Sequence, residues 1–130
     1  MPIHRTINRQ FFRLWTPKMA YVLGFFAADG TITIGKRKNQ YIEFTSCDRD
    51  ILEKIRSVIN SNHTIGSREP KQNQHRCFRL QIGNKEMCND LMRLGMVPQK
   101  SLKLTFPKVP AKYLSHFIRG YFDGDGHVST

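Results

Sequence analysis

Two short blocks of the chain each end in an acid followed by glycine. Val22-Leu23-Gly24-Phe25-Phe26-Ala27-Ala28-Asp29-Gly30 returns near the other end as Ile118-Arg119-Gly120-Tyr121-Phe122-Asp123-Gly124-Asp125-Gly126. In each block two small residues stand four apart: Gly24 with Ala28, and Gly120 with Gly124. On a helix such a pair shares one face and strips it of bulk, so two backbones can meet there. The blocks are therefore expected to be two helices packed on each other about a pseudo-twofold axis. That packing would bring Asp29 and Asp125 together at the helix C-termini. Two carboxylates there repel each other and meet the negative ends of both helix dipoles. A divalent cation relieves the conflict. Mg²⁺, or Mn²⁺ in its place, suits a site with a few carboxylate oxygens, completed by water and phosphate oxygens. The chemistry that fits is metal-assisted hydrolysis of a phosphodiester.

The elements that must position these acids can be read from the surrounding pattern. Thr16 is a predicted N-cap, with Pro17 at the first helical position, where its missing N–H costs nothing. An apolar helix should run from there to about residue 28, stopped by Gly30. Thr31-Ile32-Thr33-Ile34 and Tyr41-Ile42-Glu43-Phe44-Thr45 alternate with period two around a polar turn, Gly35-Lys36-Arg37-Lys38-Asn39, which signals a hairpin. Ile32, Ile34, Ile42 and Phe44 would face inward. Thr31, Thr33, Tyr41, Glu43 and Thr45 would face outward. Asp48 should cap a helix carrying Ile51, Leu52, Ile55, Val58 and Ile59. A second hairpin is expected from residues 64–68 and 76–83, with Phe78, Leu80 and Ile82 inward and Cys77, Arg79 and Gln81 outward. Asn84 should cap a helix with Met87, Cys88, Leu91, Met92 and Leu94 as its stripe. The last helix should start near residue 111. The order αββαββα over residues 17–110, with an antiparallel sheet laid over helices, is an α+β design.

Composition narrows the partner. The 130 residues hold 21 Lys+Arg against 10 Asp+Glu, a net charge of +11. At this length the prior is one domain. The 39% hydrophobic content is too high for a disordered basic tail. No apolar run reaches the ~18 residues of a membrane span, and the basic first 15 residues lack the apolar core of a signal peptide. The expectation is an intracellular, cytoplasmic protein that binds a polyanion, with nucleic acid as the default and no membrane role. Cys47, Cys77 and Cys88 are odd in number and lack C-x-x-C spacing. They argue against a disulfide framework and for a reducing compartment.

Both blocks, with Tyr21 and Phe117 just before them, resemble the LAGLIDADG motif of homing endonucleases, in particular the family's single-chain members with two motifs. The resemblance covers essentially residues 17–130. It implies that Asp29 and Asp125 are the catalytic metal-binding acids, and that Gly24, Ala28, Gly120 and Gly124 form the helix interface. It also implies a sheet that lies in the major groove of double-stranded DNA, where each base pair presents a distinct edge. Thr31, Thr33, Tyr41, Glu43, Thr45, Arg68, Arg79 and Gln81 would then read bases or backbone. Lys36, Arg37, Lys38 and Lys71 would contact phosphates, which position without specifying. A basic residue beside the site would assist catalysis, with Lys100 favoured over Lys103 and Lys108. The sixth motif position departs from symmetry, being Ala27 in one copy and Asp123 in the other. The implied organisation is a basic arm (1–16), a first half-unit (17–110) and the motif helix of a second (111–130). The rest of the second unit is absent, so the chain reads as a truncated form, for which self-association could replace the missing half. The family also includes members that assist intron splicing or bind DNA without cutting it, and an inactive remnant is a further alternative.

Overall fold

A computed structural model describes residues 7–35, 40–68, 77–96 and 108–125. Helix α1 (Pro17–Asp29) starts at the predicted cap: Thr16 is extended and its hydroxyl accepts the Met19 N–H at 3.0 Å. The helix gives way to β1 (Gly30–Ile34) without a left-handed turn, since Gly30 has φ −101°. Glycine is required there for space, because a Cβ would fall on the Phe26 ring. β1 pairs antiparallel with β2 (Gln40–Ser46), Thr31 opposite Glu43 and Thr33 opposite Tyr41.

Helix α2 (Arg49–Val58) is capped by Asp48, whose carboxylate accepts the Asp50 N–H at 2.9 Å. It buries Leu52 and Ile55, and ends at Asn60, which turns the chain with φ 59°. β3 (Ile65–Arg68) and β4 (Cys77–Gly83) form the second antiparallel pair. Helix α3 (Lys85–Arg93) starts from Asn84, whose side chain accepts the Met87 N–H at 3.0 Å. A single 3-10 turn (Ala111–Tyr113) leads into α4 (Leu114–Asp125).

The sheet order is β1-β2-β4-β3, antiparallel throughout, so the two hairpins join through β2 and β4. Its inner face, made by Ile32, Ile42, Phe44, Leu80 and Ile82, is fully buried with α1, α2 and α3 side chains. The Phe26 and Phe44 rings meet edge to face at 5.5 Å. Burying each such side chain contributes roughly 1.5–3 kcal/mol.

Three features differ from the sequence expectation or extend it. Ile34, expected inward, is 47% exposed at the free end of edge strand β1. Residues 7–16, read from the sequence as a basic arm, pack against the rest of the chain. Phe11 and Phe12 are core residues, and the Asn8 N–H donates to the Ile59 carbonyl at 2.9 Å. Asp90, which is not among the residues of the expected apolar stripe, is buried beside it. Its carboxylate lies 3.5 Å from the Arg13 Nε and 3.6 Å from Arg93. Buried charge persists only where it is paired, so this acid ties residues 7–16 to α3. Among the described residues no helix is long and apolar enough to cross a membrane.

Candidate functional site

The two repeated blocks lie on α1 and α4, which run parallel in close contact. A Cβ on Gly24 would fall on the Phe117 carbonyl oxygen, and one on Gly120 would fall on the Tyr21 carbonyl oxygen. At Gly124 it would stand 2.7 Å from the Phe25 carbonyl oxygen and 3.1 Å from the Ala28 Cβ. Gly24, Ala28, Gly120 and Gly124 therefore all sit at this contact. Asp29 and Asp125 each follow it by one residue, as the last residues of their helices. Asp29 is exposed.

A polar contact crosses this interface. The Tyr21 hydroxyl donates to the Asp123 carboxylate across the helix pair. Burial first, and this acceptor second, push the phenol well above its ordinary value. Lys54 of α2 lies 4.8 Å from the Tyr21 ring centroid, in cation–π range. Asp123, the sixth motif position, thus holds a structural partner in α1. The Tyr21 pairing is absent from the sequence reading. Its signal was a polar residue in one motif copy opposed to alanine in the other.

The outward sheet face begins where α1 ends. Gly30 pairs with Phe44, so Asp29 enters the sheet at its Thr45 end. Across β2 and β4, Tyr41 stands opposite Gly83, Glu43 opposite Gln81, and Thr45 opposite Arg79. Thr31 and Thr33 add a third column through their pairing with Glu43 and Tyr41. Thr31, Thr33, Tyr41, Glu43 and Thr45 are half-buried, and Arg79 and Gln81 are exposed. The structure thus gathers these seven predicted readers on one surface. Two of them also meet each other: Arg79 lies 3.7 Å from the Glu43 carboxylate. Arg68 occupies a β3 position opposite Cys77.

Beside Arg79 and Gln81 is a shallow concavity of about 260 Å³, completed by His63, Thr64 and Gly66. His63 and Thr64 are additions to the predicted face. They come from the link between α2 and β3, which no periodicity marks. Another addition is the contact of Cys47 with Cys77, whose sulfurs lie 3.5 Å apart. The Cys47 thiol is held above its usual value, first by that contact, then by burial, then by the charges of Cys77 and Asp29. Lys36, Arg37, Lys38, Lys71 and Lys100 lie outside the described residues.

Positive charge is not confined to the sheet. Lys18, Lys54 and Arg119, with the His116 ring beside them, line a cavity of about 200 Å³ around Tyr21, toward the N-terminal ends of α1 and α4.

Residues 16–94 match the family model described as a LAGLIDADG-like domain. The chain belongs to this family. LAGLIDADG proteins bind DNA, are typically nucleases and generally use divalent metals. The chain is also similar to an A-type ATP synthase subunit of Methanopyrus kandleri, 22% identical over 111 residues that cover 85% of this chain and 10% of that protein. It is 25% identical over 119 residues to an uncharacterized protein of Methanocaldococcus jannaschii, covering 88% of this chain and 41% of that one. A shorter stretch, 51% identical over 35 residues, matches the "probable translation initiation factor IF-2" of Thermococcus kodakarensis, covering 24% of this chain and 3% of that protein. The chain thus spans less than half the length of each of these curated relatives.

Proposed function

We propose that this LAGLIDADG protein is a site-specific homing endonuclease that hydrolyses phosphodiester bonds of double-stranded DNA with a divalent metal. The observation that carries the reading is the parallel α1–α4 contact. It ends two helices on acids at one place, and one of those acids opens onto the outward sheet face. The donor set fits the metal. Asp29 and Asp125 are the last residues of two helices in contact, so the set offered is a pair of acids. A hard cation that keeps several water and phosphate ligands suits such an open set. Bound there, Mg²⁺ or Mn²⁺ would supply Lewis acidity and lower the pKa of a bound water.

The chain's own residues have separable tasks in this reading. Asp29 and Asp125 hold the metal. Gly24, Ala28, Gly120 and Gly124 let the helices approach closely enough for both acids to reach it. Thr31, Thr33, Tyr41, Glu43, Thr45, Arg68, Arg79 and Gln81 meet base edges or the sugar–phosphate backbone. Lys36, Arg37, Lys38 and Lys71 neutralise phosphates, and Lys100 steadies the charge that develops on the scissile group. The relatives support mobility as the biological setting. Most of this chain matches a small part of an ATP synthase subunit, and a 35-residue stretch matches a small part of an initiation factor, two proteins of different role. A unit that recurs in this way fits an intron- or intein-borne mobile element acting on intracellular DNA. Self-association of two chains is a further part of the proposal, and sedimentation with and without duplex DNA tests it.

The test is cleavage of a randomised duplex library by protein containing residues 1–130, with Mg²⁺, with Mn²⁺ and with a chelator. Metal-dependent cutting at a recurrent site is expected. Asp29→Asn and Asp125→Asn should each abolish cutting and leave duplex binding in place. Cutting that survives both substitutions overturns the assignment. Binding that persists with no cutting under any metal favours the splicing or regulatory members of the family. Affinity should fall steeply with salt, since each phosphate contact releases a counterion.

A further inference from the structure

Cys47 and Cys77 stand 30 positions apart in sequence, with their Sγ atoms 3.5 Å apart. The strand register explains the meeting. Ser46, the last residue of β2, pairs with Phe78. The residue that leaves β2 therefore meets the first residue of β4. Thr45 and Arg79 form the preceding outward pair, so the two cysteines extend the outward row by one step.

Accessibility separates them from the third cysteine. Cys47 is exposed and Cys77 partly so, whereas Cys88 is enclosed in the core, where burial pushes its thiol up to about 11. Ser46 and Phe78, the registered pair next to the cysteines, are opposed residues of antiparallel strands, which hold their Cα atoms roughly 4.5–5.5 Å apart. That range lies within what a disulfide tolerates. Joining the two sulfurs closes the 3.5 Å gap between them to the ~2.05 Å of an S–S bond.

We propose that Cys47 and Cys77 are a reversible dithiol–disulfide site on the outward sheet face, oxidised by low-molecular-weight disulfides of the glutathione class. The Cys47 thiolate, the more exposed of the two, attacks a sulfur of the oxidant. One reduced thiol leaves and a mixed disulfide remains. The Cys77 thiolate then attacks the Cys47 sulfur, the Cys47–Cys77 bond forms and the second reduced thiol leaves. The two cysteines give up two electrons and two protons, and the oxidant becomes two thiols. The bond closes beside Thr45, Arg79 and Asp29, tying the acid end of β2 to β4. An effect on DNA rests on the reading given under Proposed function; the thiol chemistry does not. In a reducing cell a pair of this kind is transient and responds to redox poise.

The test equilibrates the full chain with mixtures of reduced and oxidised glutathione, traps free thiols by alkylation, and reads intact mass and peptide maps. Two thiols should disappear together, with the Cys47 and Cys77 peptides linked. Cys88 should stay unoxidised, and excess reduced glutathione should restore the pair. Cys47→Ser and Cys77→Ser should lose the internal link and stop at a glutathione adduct on the remaining partner, with unchanged unfolding curves when reduced. Independent adducts on Cys47 and Cys77 of the unsubstituted chain, or free thiols in oxidised glutathione alone, overturn the proposal. Duplex affinity is then compared between the oxidised chain and Cys47→Ser given the same oxidant. A shift confined to the unsubstituted chain supports coupling to the DNA face. A formed bond with unshifted affinity overturns that coupling and leaves the redox site standing.

Discussion

Val22 and Phe26 of α1 correspond in the repeat to Ile118 and Phe122 of α4. The first pair is 0% and 3% exposed, enclosed with Ile32, Ile42 and Phe44 of the sheet. The second pair is 44% and 59% exposed, and with Leu114 it forms an apolar row at helical spacing. On the faces where the helices meet, the copies agree, with a glycine of each against the other's carbonyl oxygens. The repeated block thus encodes the contact between the helices. Burial of the opposite face depends on what the rest of the chain lays against it. The copies also differ at one contact: Tyr21 and Asp123 share a hydrogen bond, while their repeat counterparts, Phe117 and Ala27, cannot form one.

This contrast can be broken experimentally, and the largest effect is expected at the aromatic pair. Phe26→Ala should cost about 4 kcal/mol in urea unfolding, because it empties a core site and the cradle around Gly30. Phe122→Ala should cost less than about 1 kcal/mol, since it removes little buried area. Equal losses would show that α4 is as enclosed as α1. Next come the shared glycines. Gly24→Ala and Gly120→Ala should each cost about 3 kcal/mol, because backbone atoms cannot yield to the added methyl. Gly83→Ala is the control: nothing stands within 4 Å of its Cβ position, and stability should be unchanged or slightly raised. Similar values for all three substitutions would remove the case for close helix contact.

The smallest effect concerns the polar asymmetry. Tyr21→Phe should cost about 1 kcal/mol at neutral pH by leaving Asp123 without its donor. It also has a pH signature. The Tyr21 phenol is raised above its ordinary value of 10 in the folded chain, so the unfolded chain gives up that proton first. Its contribution to stability is therefore complete below pH 10 and declines as pH rises above it. Tyr21→Phe should flatten that alkaline decline in thermal unfolding. An unaltered slope would show that Tyr21 does not sense Asp123.

Much of this architecture is legible in the sequence because its signals are local. Thr16, Asp48 and Asn84 cap the helices they precede, and period-two patterns mark β1, β2 and β4. The small residues four apart announce the helix contact. What was not legible depends on residues distant in sequence. Asp90 reads as an ordinary helix acid until Arg13 is placed beside it. Phe11 and Phe12 look like part of a basic arm until the end of α2 anchors them. Cys47 meets Cys77 only because β2 pairs with β4, a strand that does not follow it in sequence. Ile34 alternates correctly and yet lies at the exposed end of an edge strand, where period alone does not show where the helical layer stops.

The α1–α4 contact also has a kinetic side. It joins residues about 96 positions apart, such as Gly24 and Gly120. Closing so long a loop carries a large entropic cost when the intervening chain is loose and a smaller one once it has collapsed. The hairpins and their capped helices should therefore form first, with α4 docking last. During synthesis the Gly24–Ala28 face of α1 stays bare until α4 has emerged. Over that interval the nascent sheet is already assembled, but the two acids have not yet met.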